Sequence, residues 1–120
     1  MKIKLSLSAI ALALLPCLPA KAEFFTATIT RKGWIQVDTD SIQKLNNGNT
    51  RFISREVRNL QIQSMDIELI DCWNFRGMFL AQYNFPAQMW VQESNPKWYT
   101  INPKSPTMGL AMFVCSLPGN

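Results

Sequence analysis

SMDIELIDCW, residues 64–73, is the stretch on which the fold turns. Read with the two-residue period of a β-strand, it places Ile67, Leu69 and Trp73 on one face and Ile70 and Cys72 on the other, so apolar groups point both ways in its second half. A strand of that kind belongs inside a sheet rather than at its edge. Asp66 and Glu68 alternate with Ile67 and Leu69, which predicts a solvated face for the two acids.

Working outward, a turn at Asn74–Gly77 leads into Gly77–Phe85, where Phe79, Ala81, Tyr83 and Phe85 share one parity opposite Met78 and Leu80. On the other side Arg51–Arg58 reads as a strand. Phe24–Thr30 and Gly33–Asp38 are rich in β-branched and aromatic residues and read as a hairpin about Arg31-Lys32-Gly33. The chain is expected to bend at Asp38–Ser41 and turn through Asn46–Asn49, with a short irregular stretch between. After Phe85 comes a loop bounded by Pro86 and Pro96 that carries Met89, Trp90 and Val91, then a sixth strand around Lys97–Ile101.

The period changes at the end. Ser105 is an N-cap residue type, Pro106 suits the first helical position, and the apolar run from Met108 to Cys115 continues until Pro118 and Gly119 stop it. So short a helix is marginal alone and must be held by packing. The expected class is α+β, mainly β: a single curled antiparallel sheet of about six strands with one C-terminal helix packed on it.

The first residues belong to an address. Lys2 and Lys4 precede an apolar run from Leu5 to Leu15, and Ala20 and Ala22 complete an Ala-x-Ala cleavage signal. A helix over that run would reach only ~16 Å, about half of a ~30 Å hydrocarbon core, which argues against an anchor. Residues 1–22 are thus expected to be a signal peptide and residues 23–120 one domain, periplasmic or secreted. Cys17 suggests a lipoprotein, but Pro16 stands where such signals carry a small flexible residue. Removing Lys2, Lys4 and Lys21 takes the 12 basic residues to 9 against 8 acidic ones, a net +1. The excess charge leaves with the signal and is no argument for nucleic acid or for stable membrane insertion.

Cys72 and Cys115 then remain, and an oxidising compartment offers them one pairing, between sheet and helix. Two buried free thiols are the alternative. On the chain-entropy picture, closing their 43-residue loop would stabilise the fold by about 4 kcal/mol.

Asp38 with Ser41-Ile42 after a first hairpin, Asp71-Cys72 in a mid-chain strand, and Trp98–Ser105 leading into an apolar helix with Cys115 form a pattern spanning Trp34 to Cys115. In their order and spacing they resemble the surface-adhesin protein E family of Gram-negative bacteria. The resemblance implies an exported antiparallel sheet with a C-terminal helix, a strand cysteine bonded to a helix cysteine, and an adhesin-like role towards host matrix and plasma proteins. The family's characterised adhesin is a lipoprotein, whereas this chain has Pro16 before Cys17 and a near-neutral mature charge.

Chemistry is constrained by what the chain lacks. It has no histidine, so the commonest general base, the usual metal ligand and every histidine-containing triad are missing. Asp66, Glu68 and Asp71 are the candidates for an acid and base pair, set against their reading as a solvated strand face. The five glycines form no phosphate loop. Arg51 and Arg55 lie on one side of their strand and Arg58 on the other, with Lys44 before them. Trp90, Trp98 and Tyr99 surround the Pro-bounded loop as recognition anchors.

The expectation is a non-enzymatic exported binding or cell-envelope interaction protein with no cofactor, no metal and no nucleic-acid partner. Its binding surface would draw on Trp90, Trp98, Tyr99, Arg51 and Arg55, and its partner would be a protein or an envelope polymer. A homodimer through a sheet edge stays open. The alternative is a small periplasmic enzyme with a carboxylate-based site. Mass spectrometry of the exported protein is expected to find Glu23 at the N-terminus and no acyl group; a start at diacylated Cys17 would refute this.

Overall fold

A computed structural model describes residues 23–119; the expected signal peptide, its cleavage point after Ala22 and Cys17 lie outside them. The strands are β1 (Phe24–Ile29), β2 (Gly33–Lys44), β3 (Asn49–Arg58), β4 (Gln61–Asp71), β5 (Arg76–Asn84), β6 (Met89–Gln92) and β7 (Tyr99–Thr100), followed by one helix, α1 (Pro106–Ser116). All seven strands join one antiparallel sheet in chain order from β1 to β6. β6 pairs with Ala81–Asn84 and β7 with Arg76 and Gly77, so the two short strands line the same side of β5. The sheet is not closed into a barrel. No helix among the described residues is long and apolar enough to cross a membrane.

SMDIELIDCW lies in and just beyond an interior strand, as its two-sided apolarity requires: β4 pairs with β3 along its length and with β5 over its second half. Asn59 and Leu60 join β3 to β4 with φ of 51° and 62°, the two-residue turn whose twist matches that of a hairpin.

Three expectations change. β2 does not stop at Asp38 but runs to Lys44 through a bulge between Asp38 and Gln43. Side chains replace the interrupted ladder: Asp40 N–H donates to Asp38 Oδ1 (3.0 Å), and the Ser41 hydroxyl donates to the Asp38 carbonyl (2.6 Å) and accepts from Ile53 N–H (2.8 Å). The loop between Pro86 and Pro96 contains a strand, β6, because four residues suffice to pair with β5 and both prolines lie outside them. The strand expected around Lys97–Ile101 shrinks to the two residues of β7.

α1 crosses one face of the sheet over β1, β2 and β3. Val37, Ile42, Phe52, Ile70 and Ile101 form the core with Leu110, Ala111 and Val114 of the helix. Gly109 lets α1 sit directly on β1, since a Cβ there would come within 2.5 Å of Thr28 Oγ1. Ser105 holds the N-cap position, but its hydroxyl donates to the Asn102 carbonyl (2.7 Å), bracing the loop before the helix instead. At the other end Lys44 Nζ donates to the Val114 carbonyl (2.8 Å) and to Thr50 Oγ1 (3.1 Å), tying the last turn to the sheet.

Cys72, just past β4, is bonded to Cys115 in that last turn, with a Cα–Cα distance of 5.7 Å. Replacing both cysteines by Ala should lower the unfolding free energy by about 2–5 kcal/mol and make α1 the first segment cut by protease. A double variant that melts at the wild-type temperature under oxidising conditions would show apolar packing of α1 to be sufficient.

Candidate functional site

The bond to Cys115 turns Cys72 towards the helix-bearing face, and strand alternation turns Ile70, Glu68, Asp66 and Ser64 with it. β3 supplies Phe52, Ser54 and Glu56 in register with Glu68, Asp66 and Ser64. Asp66 and Glu68 therefore face inward, and Ile67 and Leu69 take the outer face. This corrects the expected solvated face. The pattern of alternation was read correctly and its direction was inverted, although the predicted pairing of Cys72 already contained the sign.

Beyond the edge of α1 these side chains form a groove. Its narrow part, about 130 Å³, lies between Ser54, Asp66, Glu68 and Phe79 on the sheet and Thr107 and Leu110 on the helix. It continues along Glu56 and Ser64 towards Gln82 and Glu93. Glu68 is only 4 % exposed and accepts a hydrogen bond from the Ser54 hydroxyl, itself 2 % exposed. Burial raises the Glu68 carboxyl to about 7, with the Ser54 bond opposing and the neighbouring Asp66 charge assisting. Asp66 is raised to about 6 by burial first and by Glu56 second. Both carboxyls thus titrate above the ordinary carboxylate range, Glu68 close to neutrality.

The other members of the expected sites are spread over the molecule. Arg55 lines the narrow part of the groove, and Tyr99 stands behind its wall: the Tyr99 ring lies over Gly77 and stacks on Phe79 (5.7 Å between centroids), and burial followed by the charges of Glu68 and Asp66 pushes its hydroxyl up to about 12. Trp98 lies beneath the Arg76 guanidinium (4.3 Å). Trp90 is on the outer face of β6, edge-on to Tyr83 (5.3 Å). Arg51 donates to Gln43, and Arg55 donates to Gln36 while its guanidinium covers the Phe24 ring (3.9 Å). Both arginine side chains also point outward.

Asp71, the third candidate acid, belongs to a turn. Its carboxylate accepts from the Asn74 side-chain amide, the Arg76 guanidinium and the backbone N–H groups of Trp73 and Asn74, at 2.9–3.2 Å. The Asn74 amide first, then Arg76 and the two backbone donors, hold it down to about 2 against the opposing effect of burial. Such an acid neither donates a proton nor accepts one near neutrality.

Sequence reasoning missed Ser54, Glu56 and Phe79, which only the strand register brings to the acids. The groove can donate or accept a proton and can pair with a cationic group. Among the described residues no group of three or more His, Cys, Asp or Glu side chains is arranged to hold a metal ion. Compared with known proteins, the chain matches no family model, no curated protein and no solved structure.

The raised carboxyls carry a signed consequence. A carboxyl whose folded pKa exceeds its unfolded one favours the fold while protonated, and that contribution is lost as pH rises, for Glu68 from about 4.5 through about 7. Between pH 4 and pH 8 the wild type should lose on the order of 3 kcal/mol more stability than Glu68→Gln, read from urea melts across that range. Parallel curves for the two proteins would show that Glu68 ionises normally.

Proposed function

We propose that this chain is an exported, non-enzymatic binding domain, released from a signal peptide after Ala22 and acting in the periplasm or outside the cell on a protein or envelope polymer. The observation that carries the reading is the outer face of the sheet. α1 covers the opposite face, and no element among the described residues packs over this one. There Tyr83 makes edge contacts with Phe85 (5.0 Å) and Trp90 (5.3 Å), beside exposed Met89. Aromatic rings held by one another on a rigid strand pair suit a recognition surface, because little side-chain freedom is left to lose on binding. The absence of histidine, the use of Cys72 and Cys115 in a disulfide, and the resemblance in residue pattern to the surface-adhesin protein E family support the same reading.

A second reading, a small periplasmic enzyme, draws on one specific observation: Asp66 and Glu68 titrate above the ordinary carboxylate range in a common groove. Against it stands the lack, among the described residues, of an activated nucleophile: there is no histidine, and Cys72 and Cys115 are bonded to each other.

The oxidised mature domain, immobilised and exposed to envelope extract, separates the two. The ligand it retains should be held about tenfold more weakly by Trp90→Ala, a hot-spot effect, and equally well by Asp66→Asn. Loss of retention with Asp66→Asn and none with Trp90→Ala would transfer the function to the groove.

A further inference from the structure

At the end of the sheet away from Trp90, the chain leaves β4 and sets Trp73 on the surface with 72 % of its area exposed. Exposure of an indole to that extent usually comes with rotamer freedom, but here the ring is placed. The Trp73 N–H is bound by Asp71 Oδ1 (3.0 Å), and Cys72 N–H before it is bound by the Gly48 carbonyl (2.9 Å). A Cβ built on Gly48 would meet Trp73 Cγ, Cδ1 and Cδ2 at nearly equal distances of 2.6–2.7 Å. Equal approach to three ring atoms means that Gly48 lies under the ring face, not at its edge. One face of the indole therefore rests flat on the β2–β3 turn and the other is turned to solvent.

The surface beside this platform is mostly apolar, Leu45 included, and carries polar side chains with hydrogen-bonding capacity to spare. Asn47 and Asn49, on either side of Gly48, line a cleft of about 380 Å³ beside the ring, with Lys44 and the Cys72–Cys115 bond in its wall. Neither asparagine side chain makes a hydrogen bond among the described residues, and Lys44 Nζ uses two of its three protons, on Thr50 and Val114. Asn47 and Gly48 have φ of 64° and 76°, so the turn is held in a left-handed conformation, open to glycine and tolerable for asparagine, that keeps the backbone beneath the ring.

We infer that Trp73 with Asn47, Asn49 and Lys44 forms a saccharide-binding site, in which the C–H face of one sugar ring stacks on the free indole face and its rim hydroxyls bond the two amides and the ammonium. An apolar protein anchor fits the ring but would strand three polar groups without partners, at a desolvation cost for each. A sugar ring presents one apolar face and a polar perimeter, which is the layout of this site. The volume lies within the range of small-ligand pockets. Among the described residues the cleft wall carries a cation and no carboxylate, which admits neutral and acidic sugars and disfavours cationic ones. The inference deepens the proposed binding role by naming a ligand class, at a site separate from the Tyr83–Trp90 patch.

Titration of the oxidised mature domain with a β-1,4-linked N-acetylglucosamine tetramer and with maltotetraose, followed by tryptophan fluorescence and calorimetry, tests it. Saturable binding of at least one probe is expected, weakened about tenfold or more in Trp73→Ala and partly restored in Trp73→Phe, as a stacking contact requires. Trp90→Ala should bind the same probe as the wild type does, so loss of the outer-face patch and loss of this site read differently. Because Trp73 is exposed, thermal melts of the Trp73 variants should match the wild type and exclude misfolding. Failure of both probes to bind the wild type, or equal affinity in Trp73→Ala, would overturn the assignment.

Discussion

The bond between Cys72 and Cys115 is the constraint from which the geometry follows. α1 has eleven residues, too few for a stable helix in isolation, and it crosses only three of the seven strands. The disulfide and the Lys44–Val114 hydrogen bond hold the same end of that helix, one from β4 and one from β2. Together they fix how far α1 reaches across the sheet, and so where its edge falls over Ser54 and Glu68. The groove is the space left between a helix pinned at its C-terminal turn and the strands it does not cover.

That same bond explains which parts of the molecule were legible in the sequence. The interior position of SMDIELIDCW, the terminal helix with Pro106 at its first turn, and the pairing of Cys72 with Cys115 follow from period, turn chemistry and the expectation of export. A strand's alternation, however, gives two faces without naming the inner one, and Asp66 and Glu68 read equally well either way until Cys72 is attached to the helix. β6 was illegible for another reason: four residues between prolines carry too little pattern, and their pairing depends on the neighbouring β5. The bulge in β2 escaped because Asp38 and Ser41 are turn formers in one context and replacements for ladder bonds in another.

Burying Glu68 is costly, since a single hydroxyl is its only donor among the described residues and the ionised form is disfavoured at neutral pH. Asp71 shows the opposite arrangement within three residues of the same strand: four hydrogen bonds keep it charged and make it a structural acid. Two acids of one strand thus have pKa values of about 7 and about 2: burial, helped by the Asp66 charge, dominates at Glu68, whereas at Asp71 the hydrogen bonds from Asn74, Arg76 and the backbone outweigh burial.

Asp71 also determines what lies beyond it. Its carboxylate closes the β4–β5 turn, in which Phe75 takes a positive φ of 50°, and among the donors it binds there is the backbone N–H of Trp73. A rigid turn carries the indole, a second rigid turn at Asn47–Gly48 receives it, and the disulfide joins the base of both to the helix. A tryptophan exposed only by chance would keep its rotamer freedom and cover what apolar surface it could reach. Here the Asp71 hydrogen bond and the covalent link one residue away hold the backbone at Trp73, and Gly48 receives one face of the ring, which leaves the other in water. Order of that kind lowers the entropy lost when a ligand arrives, which is the physical link between a stapled small domain and the binding role proposed for it.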